Sequence, residues 1–244
     1  MKKTLAVILA LSMAGCVLAG CQSTAKTEET EAAEEAAEEA AGEVAGGWTI
    51  TEAAGTALSD EAAEAFEAAQ EGYAGMGFEA ITLMGTQVVA GVNYAILAKG
   101  TTVTATPQTA LKVVIVYAGV DGERSIKTVA DFSIGDYTED KDTEEAGTLA
   151  GGWTVTDEDG FALPDDVQES FDNAMEGLVG VGYEPLAYLG SQVVAGVNYA
   201  VLCRATKVTA EPVSYLAVVS IYRDLEGGCS VNSIHAIDIA AYNE

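Results

Sequence analysis

Gln87-Val88-Val89-Ala90-Gly91-Val92-Asn93-Tyr94-Ala95 returns unchanged 105 residues later as Gln192-Val193-Val194-Ala195-Gly196-Val197-Asn198-Tyr199-Ala200. Turns are normally polar, because Gly, Asn, Asp and Ser satisfy the turning backbone. A Val-Val-Ala-Gly turn instead offers apolar area, which suits a groove better than water. The stretch therefore reads as an apolar hairpin tip, present twice.

The same offset holds outside the tip. Trp48 corresponds to Trp153, Leu58 to Leu163, Phe66 to Phe171, Gly77 to Gly182, Pro107 to Pro212 and Tyr117 to Tyr222. Such a period is too long for a solenoid unit of about 20–50 residues and suits a whole domain of roughly 50–200. The chain is expected to hold two tandem domains, 43–138 and 148–244, joined by an acidic linker, 139–147. Elsewhere the copies have diverged: Ser59-Asp60-Glu61-Ala62-Ala63-Glu64 faces Pro164-Asp165-Asp166-Val167-Gln168-Glu169. Identity concentrated in one hairpin marks that hairpin as the functional element.

Within one copy, Trp48 to Thr51 reads as a short strand. Leu58, Ala62, Phe66, Ala69 and Tyr73 then form one apolar helical stripe, matched by Val167, Phe171, Ala174 and Leu178 after Pro164. Gly75 and Gly77, like Gly180 and Gly182, are expected to end that helix. Strand-like runs follow at 78–89, 92–103, 111–117 and 125–134, with Gly119-Val120-Asp121-Gly122 turning the last pair. One helix followed by β runs predicts an α+β layer: a helix packed across an antiparallel sheet of about four to five strands.

The first residues have a different character. A basic Met1-Lys2-Lys3 start and an apolar run from Thr4 to Ala19 read as a signal peptide, residues 1–20. The run is short for a transmembrane helix, which needs about 20 apolar residues. Leu18-Ala19-Gly20-Cys21 resembles the lipobox of bacterial lipoproteins. That resemblance implies a diacylated Cys21 at the mature N-terminus, and two acyl chains suffice for stable anchoring. Residues 21–42 form a Glu/Ala-rich tether that holds the domains away from the membrane. The expected location is the bacterial cell envelope, with the domains extracytoplasmic. A formal net charge of −27 argues against nucleic acid, which needs a basic footprint. It also argues against direct contact with anionic lipid, leaving the N-terminal lipid as the membrane contact.

Gln-Val-Val-Ala-Gly with a following Asn-Tyr, between two strands and downstream of one helix, resembles the cystatin family, with the disulfide-free stefins nearest. The pairs Gly46-Gly47 and Gly151-Gly152, preceded by Val44-Ala45 and Leu149-Ala150, resemble the family's N-terminal glycine segment. The resemblance implies reversible, non-covalent inhibition of papain-like cysteine proteases by a wedge. In the first domain it would use Val44, Ala45, Gly46 and Gln87, Val88, Val89, Ala90, Gly91. In the second it would use Leu149, Ala150, Gly151 and Gln192, Val193, Val194, Ala195, Gly196. Gly91 lets the backbone turn and approach closely, so a bulky residue there is expected to abolish binding and spare the fold. The Pro-Trp that many cystatins carry in the second hairpin is missing from both copies, as it is from stefins. Asp121, Asp224 and Glu226 put charge there instead.

Other readings are weighed against this one. The same tips could belong to a non-enzymatic surface module that holds a peptide, a host protein or an envelope component. Enzymatic function is disfavoured because the single histidine, His235, and the thiols of Cys203 and Cys229 occur only in the second copy. Those two cysteines are expected on strands separated by another, too far apart for a disulfide. No cofactor or metal is expected: Asp157-Glu158-Asp159-Gly160 opens like a calcium loop but lacks the later ligands. Trp48 and Trp153 are read as core residues.

Overall fold

The computed structural model describes residues 47–52, 54–138, 152–156 and 161–243. Cys21, the acidic tether, the linker, the Asp157 to Gly160 turn, and Val44, Ala45, Gly46, Leu149, Ala150 and Gly151 lie outside them. No helix among the described residues is long and apolar enough to cross a membrane.

Each repeat is one helix on a five-stranded antiparallel sheet, the α+β layer expected from the sequence. The first unit comprises β1 (Thr49–Ile50), α1 (Asp60–Gln70), β2 (Met76–Val89), β3 (Gly91–Thr102), β4 (Thr109–Gly119) and β5 (Arg124–Asp131), closed by a 3₁₀ turn, Ile134–Tyr137. The second comprises β6 (Thr154–Val155), α2 (Asp165–Met175), β7 (Val181–Val194), β8 (Gly196–Lys207), β9 (Ser214–Arg223) and β10 (Cys229–Ile237), closed by Ile239–Tyr242. Both sheets are meanders in sequence order.

Helix α1 starts where Ser59, in extended conformation, accepts a hydrogen bond from the Ala62 amide at 3.2 Å. This is an N-cap, strengthened by Asp60 and Glu61 at the positive end of the helix. Its buried face is Ala62, Ala65, Phe66 and Ala69. The helix ends at Gln70, ahead of Gly72 at φ +84°, and Gly77 already belongs to β2. The stop thus comes earlier than Gly75 and Gly77, because the left-handed residue that releases the helix is Gly72. Pro164 immediately precedes α2.

The two faces of each sheet are covered differently. In the first unit Leu83, Tyr94, Ile96, Ala98, Val114 and Val116 pack under α1. The opposite face, including Met84, Leu97, Val113 and Ile115, joins Leu189, Leu202, Leu216 and Val218 of the second unit in one continuous core. The helix-free faces of the repeats are therefore packed on each other. Strands buried on both sides read as unbroken apolar runs, as Val113 to Val116 and Leu216 to Val219 do.

Register shifts in β2 leave Ile81 and Met84 as extra residues, and β7 repeats them at Leu186 and Leu189. A bulge resets the period-two alternation, and here it directs all four side chains into the shared core. Gly85 permits the close fit, since a Cβ there would lie 2.7 Å from the Thr49 carbonyl and 3.1 Å from Cδ1 of Ile239. Arg204, ion-paired with Glu184, also donates to the Thr51 carbonyl across the interface at 3.0 Å. Trp48 and Trp153, read as core, are partly buried against the shared core.

Candidate functional site

The repeated stretch folds into the β2–β3 hairpin, with Gln87 opposite Asn93, Val88 opposite Val92 and Val89 opposite Gly91, so that Ala90 turns the chain. So tight a reversal requires Gly91 at φ +139° and Gly196 at φ +140°, a region closed to ordinary side chains. Close approach adds a second constraint. A Cβ on Gly91 would sit 2.3 Å from the Ala118 carbonyl oxygen, and one on Gly196 would sit 2.4 Å from that of Arg223. A bulky residue there would displace the pairing with β4 or β9, so the fold would not be spared.

The polar members of the stretch act within the hairpin. Asn93 Nδ2 donates to Gln87 Oε1 at 2.8 Å, and Asn198 Nδ2 donates to Gln192 Oε1 at 2.6 Å. Gln192 and Asn198 are buried. Tyr94 and Tyr199 pack on the helix side of their sheets. From the next hairpin the Tyr117 hydroxyl donates to the Ala90 carbonyl at 2.7 Å, and Tyr222 does the same to Ala195 at 2.6 Å. Lys127 Nζ holds the Tyr117 ring from above, 4.6 Å from its centroid.

These contacts leave the valines outside. Val88 and Val89 are 77% and 44% exposed, and Val193 and Val194 are 71% and 43% exposed. With Val88 and Val193 so largely exposed, neither tip is covered by the other described unit.

A second apolar point stands beside each tip. Gly91 pairs with Gly119, so the β4–β5 turn opens at the same edge of the sheet. Its apex is Val120, 90% exposed, and Leu225 takes the same place in the second unit at 82%. Two of the acidic residues of these turns accept hydrogen bonds from the turn backbone. Asp121 Oδ1 accepts from the Glu123 amide at 3.1 Å, and Asp224 Oδ1 accepts from Glu226 and Gly228 at 2.9 and 2.7 Å. Sequence reasoning weighed the charges of this turn and missed its apex. The available signal was one aliphatic residue at corresponding places in two otherwise divergent Gly-rich turns.

The flank toward α1 is a shallow depression lined by Glu61, Glu64, Tyr94, Arg124 and the two hairpins. Arg124 is tied to the carbonyls of Gly119 and Glu123 at 3.2 and 2.9 Å. Burial, and secondarily Glu61, push the Tyr94 phenol above its ordinary value, with Arg124 opposing. Tyr94 thus stays neutral at physiological pH. On the other side, β1 runs antiparallel to β2 with Thr49 opposite Thr86, which directs Trp48 and the exposed Gly47 toward the tip.

The remaining candidates are dispersed. Cys203 lies in β8 opposite Ala217, whereas Cys229 begins β10 opposite Arg223, with β9 between them, and both are free thiols. Burial raises the pKa of Cys203 well above its ordinary value, the opposite of what a nucleophile needs. His235 is in the edge strand β10. Among the described residues no group of three His, Cys, Asp or Glu side chains is placed to hold a metal ion.

No protein-family model matches the chain, and no curated protein matches it in sequence.

Proposed function

We propose that the protein is a reversible, non-covalent inhibitor of papain-like cysteine proteases, built from two cystatin-like wedges and displayed on the cell envelope through a lipid on Cys21. The observation that carries this reading is the shared edge of each unit. An exposed Val-Val tip and a second apolar apex stand there side by side, with the first strand running toward them. A short strand, one helix and a four-strand meander, as found here, is also the topology that the cystatin resemblance implies.

The mechanism is occlusion. The tip enters a substrate cleft and excludes both water and substrate from the reacting centre, and no bond is made or broken. Burying one valine is worth about 1.5–3 kcal/mol, of which only a part becomes affinity after association costs. Rigidity reduces those costs. The Tyr117 bond to Ala90 and the Asn93–Gln87 strut fix the tip before it meets a partner.

In the first unit the depression beside the tip, lined by Glu61 and Glu64 together with an Arg124 already tied to the turn carbonyls, favours a second reading, a surface module that holds a peptide at the same edge. The deciding experiment titrates residues 43–244 against papain and a lysosomal-type cathepsin, following peptidase activity. Saturable, reversible inhibition that is lost when Val88, Val89, Val193 and Val194 are all changed to Asp supports the inhibitor. Absence of inhibition by folded protein removes it and leaves the peptide-binding module.

A further inference from the structure

At the pole of each sheet away from the tip, the β3–β4 and β8–β9 turns share one framework. The Val103 amide donates to the Gly75 carbonyl and the Thr102 amide to the Gln108 carbonyl, both at 2.9 Å. The counterparts, Val208 to Gly180 and Lys207 to Val213, measure 2.8 and 3.0 Å. Side-chain hydroxyls complete the turns. Thr101 Oγ1 lies 3.3 Å from Thr109 Oγ1, and Thr206 Oγ1 lies 2.9 Å from Ser214 Oγ. Thr104 Oγ1 donates to the Thr106 carbonyl at 2.7 Å, as Thr209 does to Glu211 at 2.6 Å. In the first unit Thr102 Oγ1 also accepts from the Gln108 amide at 2.8 Å.

The first of these turns is dense in threonine. Thr101-Thr102-Val103-Thr104-Ala105-Thr106-Pro107-Gln108-Thr109 holds five in nine residues. Threonine-rich segments with proline have the composition that carries O-linked sugar. Four of the five hydroxyls are engaged in the framework. Thr106 is the exception: its hydroxyl bonds to nothing among the described residues, and the whole stretch from Val103 to Thr109 is exposed. Pro107 disfavours helical backbone at Thr106, so that hydroxyl stands on open chain that a modifying enzyme can grip. The second turn keeps Thr209, Ala210 and Pro212 but has Glu211 in the place of Thr106. One turn therefore offers a free acceptor hydroxyl, and its twin has only engaged ones.

We propose that Thr106 is an O-glycosylation site and that the second turn, with Glu211 in its place, is not modified. The donor is a sugar ester of an isoprenoid phosphate, the class of activated sugar that a membrane presents at its outer face. Thr106 Oγ1 attacks the anomeric carbon, and the bond from that carbon to the phosphate oxygen breaks. The phosphate leaves with the electron pair, the hydroxyl proton passes to a basic group of the transferase, and nothing is oxidised or reduced. Strand β3 runs from Gly91 at the tip to Thr102, roughly 35 Å at about 3.3 Å per residue. A bulky, hydrated sugar at this pole leaves the Val-Val tip open. Glycosylation here requires the extracytoplasmic location and is independent of what the tip binds.

The test isolates the full-length protein from the cells that encode it and maps its peptides by electron-transfer mass spectrometry. Thr106→Ala and Glu211→Thr chains expressed in the same cells are mapped alongside. The expected result is a hexose or hexosamine mass on Thr106 and on no other threonine of the turn. It should vanish in the Thr106→Ala chain, and the Glu211→Thr chain should gain a second sugar at position 211. A bare Thr106, a phosphate there instead, or sugar that persists on the turn in the Thr106→Ala chain overturns the proposal. A modified Thr106 with no gain in the Glu211→Thr chain overturns the claim that the missing hydroxyl is what spares the second turn. Both substituted residues are exposed, so unchanged thermal unfolding confirms that each comparison is between folded chains.

Discussion

The hydroxyl of Tyr137 lies 2.5 Å from that of Tyr242, its own counterpart in the second repeat. Equivalent residues of both units, such as Met84 and Leu189 or Leu97 and Leu202, also share one core, as the two sides of an isologous interface do. Around the tyrosine pair Phe132 stacks on Tyr137 and on Tyr242, with centroids 5.2 and 6.5 Å away. The two units are thus joined face to face within one chain, largely through equivalent residues.

That arrangement predicts cooperative unfolding. The shared core leaves neither unit with a complete interior, so calorimetry should show a single transition with equal calorimetric and van't Hoff enthalpies. Met84→Asp would place a charge at the centre of the interface, where Met84 is fully buried. Its cost of several kcal/mol should be felt by both units together. Two separate transitions in the parent chain, with only one moved by the substitution, would contradict the shared core.

Removing the hydroxyl of either Tyr137 or Tyr242 should cost about 1 kcal/mol. The double Phe substitution should cost clearly less than the sum, because it leaves no unpaired hydroxyl behind. A double-mutant cycle by urea denaturation reads the coupling; strictly additive effects would mean that the bond contributes nothing.

Alkali should destabilise the fold in a defined window. Burial raises the phenols of Tyr137, Tyr183, Tyr215 and Tyr242 above their ordinary 10.0, and raises the Cys203 thiol above its ordinary 9.0. The folded chain holds these protons where the unfolded chain releases them. Their contribution is therefore complete below about pH 9 and declines as pH rises, by up to about 1.4 kcal/mol per pH unit for each proton. Unfolding free energies measured from pH 7 to 11 should be level with respect to these groups at first and then fall; a level curve through pH 11 would refute the assignment.

The turn glycines should separate by neighbourhood. Gly91→Ala meets both a positive φ and the Ala118 carbonyl, whereas Gly122 has φ +92° and open space around it. Gly122→Ala should cost about 1–2 kcal/mol through strain alone, and Gly91→Ala distinctly more. Thermal melts of the two variants give the comparison, and equal costs would show that the hairpin yields freely at its tip.

The two described thiols should differ in reactivity. Alkylation of native protein followed by mass spectrometry should label the partly exposed Cys229 and spare the buried Cys203 until the chain is unfolded. Rapid native labelling of Cys203 would require an opening in the α2 side of the second sheet.

The sequence by itself determined the repeat, the helix, most of each strand and the apolar tip, because each is written in local pattern. A stretch repeated at an offset of 105 residues marks the copies, a stripe of Ala62, Phe66 and Ala69 marks the helix, and Val-Val-Ala-Gly marks the tip. Tertiary structure alone decided what covers the second face of each sheet. A run such as Val113-Val114-Ile115-Val116 says that both faces are buried but not by what. The bulges at Ile81, Met84, Leu186 and Leu189 also break the alternation that would have separated the faces. The roles of Gln87 and Asn93 were hidden for the same reason: their bond exists only once the hairpin closes, and a polar residue bound inside a hairpin has the same letter as one offered to a partner. Apolar burial is non-directional, so a sequence records how much surface must leave water, while the register of paired strands decides where it goes.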